Sequence, residues 1–329
     1  MSTTLVPCTW RALPAYRLIG THLEAVVTLV GGHLASLTRR GESLDPFWQP
    51  SWPGLDPANL DAAQSARLGG PVAAPLLGTI VGSTLCCDRF GPPPSGEDKP
   101  AHGEACRTTF ARVPDGHHDL SVEGLLPQGA LTVRRSVRLV ATTCVLVTTV
   151  RHAGGAPRAI EWCEHTNVGG EFLDGVSFAA PLDRVVMTSV RDDAERFGAG
   201  PVGRAVDLAA ALAFPALTDP PCGDVLCGRL AGGTAIGTWT ATNARLRRRL
   251  TCTFRHADWP WLALWTQHRS RTASPWNGSE RVRGMELSTK PIPEGEVPPE
   301  RRRRFLDQPT TCLIPPGAGL SKTLSFTWE

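Results

Sequence analysis

The sequence has no uninterrupted apolar run approaching the roughly 18 residues of a membrane-crossing helix, which excludes an integral helical membrane protein. It also has no excess of charge. Its 34 Lys and Arg face 31 Asp and Glu, spread along the chain, so the field that would gather nucleic acid is missing. The positive residues are nearly all Arg, which in a chain rich in Ala, Gly and Pro reads as codon bias. The start, MSTTLVPCTWRALPAYRLIG, lacks a basic stretch followed by an apolar core, so no secretory signal and a cytoplasmic location are expected. There is no CxxC pair. Cys222 and Cys227 have four residues between them and no second pair to complete a tetrahedral zinc site, so the 10 scattered cysteines are expected to be mostly buried free thiols, with no metal bound.

Helical periodicity is scarce, confined to short stretches near Leu60–Leu68 and Val206–Leu212. What fills the 329 residues, 41% of them hydrophobic, is a succession of short β-rich runs bounded by turn formers. Examples are Leu23–Val30, Leu131–Val140, Cys144–His152, Ile236–Thr240 and Leu246–Phe254. In Leu131–Val140 the apolar residues Leu131, Val133, Val137 and Leu139 alternate with polar ones, interrupted where Arg134 and Arg135 adjoin. That suits a sheet with one wet face and a bulge at the arginines. Cys144–His152 follows closely enough to return as a hairpin. The chain therefore reads as mainly β, with few short helices.

Two segments, GPPPSGEDKP (91–100) and PIPEGEVPPERRRR (291–304), read as exposed loops. Neither divides the chain into compositionally distinct halves, so residues 1–329 are expected to form one domain. Arg301 to Arg304 beside Glu296 and Glu300 read as a solvated run, with a polyanion site as the sharper alternative. Residues 198–203, GAGPVG, match G-x-G-x-x-G, but the preceding Arg191–Phe197 stretch is charged where a dinucleotide-binding fold needs a buried strand, so no nucleotide cofactor is expected.

Three segments carry candidate chemistry. AHGEAC (101–106) places His102 and Glu104 two apart, on one side of the chain if it is extended. EWCEHTNVGG (161–170) places Glu161, Cys163 and His165 on one side of a strand and Trp162 and Glu164 on the other, with His165 at the strand's end before a glycine loop. The third, 259–286, supplies Trp259, Trp261, Trp265 and Trp276 with His268, Arg269, Arg271 and Asn277, and then Glu286. Aromatic platforms beside polar groups suit a sugar, whose ring has apolar faces and a rim of hydroxyls.

On these motifs, with VTLVGGHLAS (27–36) as an opening strand and turn and RGMEL near the end, the sequence resembles the aldose epimerase, or galactose mutarotase-like, family. The resemblance implies a large antiparallel β-sandwich that interconverts the α and β anomers of a free sugar, with no cofactor. It further implies His165 as general acid, Glu286 as general base and His102 as a sugar-binding group. Nearest in position to the family's other binding residues are Arg89 and Asp258, and Glu164 stands where the family has Asn before the catalytic histidine. Trp265, Arg269, Trp276 and Asn277 complete the expected binding set. A small carbohydrate is the expected partner, and nucleic acid and membrane are not; the chain is expected to be a monomer or homodimer. Three alternatives stay open: another sugar enzyme working by enolisation or elimination, a sugar-phosphate substrate held by arginines such as Arg271, and a carbohydrate-binding protein without turnover.

Overall fold

The computed structural model describes residues 3–97 and 99–329. Two antiparallel sheets, of 11 and 8 strands, hold most of the regular structure, and three short α-helices lie between strands. At the heart of the larger sheet, Ser83–Cys86, Cys163–Gly169, Arg281–Ser288, Trp261–His268 and Cys222–Leu230 lie side by side in that order. The smaller sheet is centred on Arg248–Arg255, Gly319–Trp328, Thr143–His152 and Leu131–Val140. Side chains from the inner faces of both sheets make one apolar core, in which Phe47 meets Phe326 and Phe172 meets Trp328 edge-on. This is a β-sandwich, and burying a face of each sheet is what the alternating pattern requires. Among the described residues no helix is long and apolar enough to cross a membrane.

The strands read from sequence appear with edges shifted by a few residues, the last of them as Arg248–Arg255, and the expected helices shrink to Ala62–Arg67 and Leu208–Leu212. Leu131–Val140 and Thr143–His152 form the expected hairpin, closed across the two residues Ala141 and Thr142. The expected bulge at Arg134 and Arg135 is absent: register with both neighbouring strands is unbroken. Arg135 instead takes the inward position in strict alternation with Leu131, Val133 and Val137, and only 1% of it is exposed.

A buried cation needs a partner, and Glu164 reaches Arg135 from the opposite sheet. Arg135 Nη1 donates to both carboxylate oxygens at 3.2 and 3.0 Å. Glu164 Oε1 also accepts from the Thr148 hydroxyl at 2.8 Å. An ion pair thus crosses the sandwich behind the His165 strand. The two proline-rich segments are loops, exposed at Ser95–Glu97 and Arg302–Arg304 as expected, but their other parts pack on each other. The backbone of Gly91, at φ +112°, lies against Pro293, and Gly295 lies against Pro93, so closely that a Cβ on either glycine would overlap its neighbour at 2.5 Å. Each segment buries part of the other. Within the arginine run, Arg301 is tied to Glu294 at 2.7 Å, and Arg302 to Arg304 are exposed. Residues 198–203 form a loop and turn with no buried strand before them.

Removing one member of the crossing ion pair strands a buried charge, so Arg135→Met is expected to lower unfolding stability by about 3–5 kcal/mol, whereas the double variant Arg135→Met/Glu164→Leu recovers most of that loss. Urea unfolding of the three proteins checks both.

Candidate active site

The pairing of three adjacent strands builds the site. His165 lies opposite Glu286 on one side and Thr84 on the other. Residues directly opposite on antiparallel strands project to the same face, so the register alone brings the His165 and Glu286 side chains together. Their closest atoms, His165 Nε2 and Glu286 Oε1, are 3.2 Å apart. His165 is therefore not at a strand's end, as the sequence suggested, but within a strand held by hydrogen-bonded neighbours on both sides. Room for the carboxylate comes from small neighbours. Ala263 is the residue opposite Glu286 on its other flank, and at Gly284 an added Cβ would stand 2.2 Å from Glu286 Oε1 and 2.9 Å from the Trp265 Cβ.

His102 arrives from outside the sheet. The stretch is not extended: His102 and Gly103 have φ of +61° and +85°, and a 3-10 turn follows at Glu104–Arg107. This sends the two expected partners apart. Glu104 accepts the backbone N–H groups of Gln128 and Gly129 at 3.1 and 2.7 Å, away from the site. The His102 ring lies 5.5 Å from that of His165, edge to face. Its Nδ1 is 3.3 Å from the Cys86 sulfur. Burial pushes the Cys86 thiol above its ordinary pKa, so it stays S–H, and its contact with Nδ1 leaves His102 Nε2 as the ring nitrogen available to a ligand.

These three residues line a cleft of about 610 Å³, partly open to solvent, with Trp265, Trp276 and Arg271. Its remaining walls are Leu76, Leu77 and Ile80 on one side, Val190 and Val225 on another, and Pro92 and Pro293 from the interlocked proline segments. Trp265 and Trp276 are braced from behind: Trp276 stacks on Trp48 with centroids 5.7 Å apart and planes within 2°, and Trp48 Nε1 donates to Glu280 at 2.8 Å. The Arg271 guanidinium covers both cleft indoles, at 5.3 and 5.0 Å from the ring centres, and its Nε is 3.5 Å from Asp192.

Other expected site residues lie elsewhere. Arg89 pairs with Glu97 at 3.3 Å and does not line the cleft. Asp258 belongs to a 3-10 turn whose backbone carbonyl accepts from Lys322. Arg269 is turned to His268 Nε2 and to the Asp219 carbonyl, and Asn277 to the Pro275 carbonyl at 3.1 Å. Trp259 and Trp261 are fully buried, the first against Trp162 and the second donating to the Pro309 carbonyl at 2.8 Å. Arg281 and Arg283, near Glu286 in sequence, hold His268 and Thr266 instead.

The site's electrostatics reverse the expected charges. Desolvation lowers the His165 pKa to about 4, with Arg271 adding to the effect. Desolvation raises the Glu286 carboxyl to about 8 against the pull of Arg283 and Arg271. Burial thus favours a neutral imidazole beside a protonated carboxyl over an imidazolium beside a carboxylate, because an apolar cleft penalises both charges. His102 is likewise pushed well below the usual imidazole value by burial and by His165.

No family model matches the chain, and no curated protein matches it in sequence. Solved structures do. A candidate aldose 1-epimerase from Klebsiella pneumoniae superposes with a TM-score of 0.67 over 99% of this chain and 87% of its own, at 14% identity. A candidate aldose 1-epimerase from Escherichia coli K12 gives 0.64 over 100% and 99%, at 12% identity. A galactose mutarotase-like protein from Clostridium acetobutylicum gives 0.64 over the same shares, also at 12%. The chain has the galactose mutarotase-like fold. Within that fold, sequence reasoning missed the apolar walls and did not include Arg271 in the binding set. Leu76, Ile80 and Val225 look like core residues in a sequence, and Arg271 is one arginine among many.

With its pKa lowered, His165 gains its proton only as pH falls through about 4. Imidazole ¹⁵N shifts of the free protein are expected to report a neutral ring at pH 6; an imidazolium at that pH would overturn the assignment.

Proposed function

We propose that residues 1–329 form one domain that interconverts the anomers of a free sugar by paired proton transfer between His165 and Glu286. What supports this reading is the 3.2 Å contact between a neutral base and a protonated acid at the floor of a ligand-sized cleft. Ring opening of a hemiacetal needs one group to take the proton of the C1 hydroxyl while another gives a proton to the ring oxygen. Both oxygens are bonded to C1, so a donor and an acceptor in contact with each other are placed to serve them together. The pair holds one proton between the two pKa values, which is the stoichiometry the reaction needs. In the free site that proton sits on Glu286, so opening begins with Glu286 as acid and His165 as base. Reclosure on the other face of the aldehyde returns both protons. The opposite assignment, Glu286 as base and His165 as acid, is the same pair after the proton has crossed between them. His102, through Nε2, is suited to hold an oxygen of the sugar, and no metal or organic cofactor enters the scheme.

The test is anomer exchange followed by NMR on freshly dissolved sugars. Glu286→Gln and His165→Ala should each lower the catalysed rate by about 10²- to 10⁴-fold. Exchange of a C2 proton with solvent, which mutarotation does not cause, would instead favour enolisation. The rate should be flat between the two pKa values, falling below about pH 4 as His165 gains a second proton for the pair and above about pH 8 as Glu286 loses the only one. Gly284→Ala, whose methyl would occupy the place of Glu286 Oε1, should cost at least about 10-fold in rate with the protein still folded by circular dichroism.

A further inference from the structure

The cleft's walls are poorly matched to a fully hydroxylated hexose. Nine of its thirteen lining residues are apolar, and among the described residues that line it there is no Ser, Thr, Asn, Gln or Asp. Glu286 is its single carboxyl, and in the mutarotation reading His165 and Glu286 serve the C1 hydroxyl and the ring oxygen, with His102 on an oxygen beside them. For the distal half of a sugar the side chains offer the Arg271 guanidinium and indole N–H groups, all donors and no acceptor. A hydroxyl needs an acceptor for its own proton, and a polar group buried without its partner costs more than its hydrogen bond would have returned. Nor is Arg271 a free cation awaiting a phosphate or carboxylate. Its charge is matched at 3.5 Å by Asp192, whose side chain is 1% exposed, and its guanidinium lies over the Trp265 and Trp276 rings.

We infer that the substrate is an uncharged sugar poor in distal hydroxyls, deoxygenated or O-alkylated at positions away from C1, whose apolar edge packs on Ile80, Val225 and Trp276. The inference rests on the mutarotation reading and narrows it. Removing a hydroxyl removes a desolvation penalty, and adding a methyl adds contact with a wall that has no polar atom to lose.

The experiment compares kcat/KM for anomer exchange by the full chain on glucose, galactose, 6-deoxyglucose, 6-deoxygalactose, a 4,6-dideoxyhexose, 3-O-methylglucose and glucose 6-phosphate. Each 6-deoxy sugar is expected to exceed its parent by about 10-fold, with the dideoxy sugar higher still and the phosphate lowest. Val225→Thr keeps the side chain's shape and adds a hydroxyl, so it is expected to narrow the deoxy-to-parent ratio severalfold; an unchanged ratio would remove the wall from the argument. Parent hexoses used as well as or better than their deoxy forms overturn the inference and leave mutarotation standing. A preference for glucose 6-phosphate overturns it in favour of an anion held by Arg271. Acceleration of no sugar by the folded protein overturns the mutarotation reading and this inference together.

Discussion

The site depends on strand register. His165 and Glu286 meet because Cys163–Gly169 and Arg281–Ser288 pair with these two residues opposite each other. A slip of one residue would turn one side chain into the core and the other out of it. Several features hold the register: Ser83–Cys86 on the other flank of the His165 strand, Trp261–His268 beyond the Glu286 strand, and the need to keep Glu164 inward against Arg135. Alternation ties the last to chemistry. Glu164 faces the sandwich interior, so its neighbour His165 faces the cleft, and the ion pair that locks one orientation fixes the other.

The same burial that assembles the pair sets its protonation. In water a carboxylate and an imidazole in contact would share charge as an ion pair. Between apolar walls both charged forms lose hydration and the neutral tautomer is favoured. Arg271 and Arg283 oppose this at Glu286 but do not overcome it. The pair therefore holds one proton with little net charge, which suits the proposed interconversion, whose start and end are both neutral sugars. The apolar walls that strip hydration from the pair also leave little to recognise hydroxyls, so the proposed chemistry and the inferred substrate have one physical origin.

Much of this was legible in the sequence, and the failures share a cause. Alternation in Leu131–Val140 marked a half-buried strand, and EHTNVGG and RGMEL marked the two residues that the register brings into contact. The apparent break at Arg135 was misread because a charged residue inside a core is improbable until its partner is known, and Glu164 is 29 positions away on the other sheet. Arg89, Asp258, Arg269 and Asn277 were chosen for being polar and near a motif, yet backbone carbonyls and local ion pairs had already claimed most of them. Leu76, Ile80 and Val225 carried no signal, because an apolar residue facing a cleft and one facing a core look alike in sequence.

The interlock of Gly91 with Pro293 and of Gly295 with Pro93 gives the cleft a division of labour. Its floor is sheet, where every residue is fixed by two neighbouring strands; part of its rim is two connections that interlock with each other and contribute Pro92 and Pro293. Change in the floor is constrained by the whole sandwich, while the rim is held at fewer points, by its own interlock, by Ile292 packed on Val186, Cys227 and Trp261, and by Glu294 accepting from Ser189. In a lineage built on this scaffold, the proposed proton-transfer pair would be inherited with the sheet, while the mouth through which a ligand enters could be renegotiated in the connections.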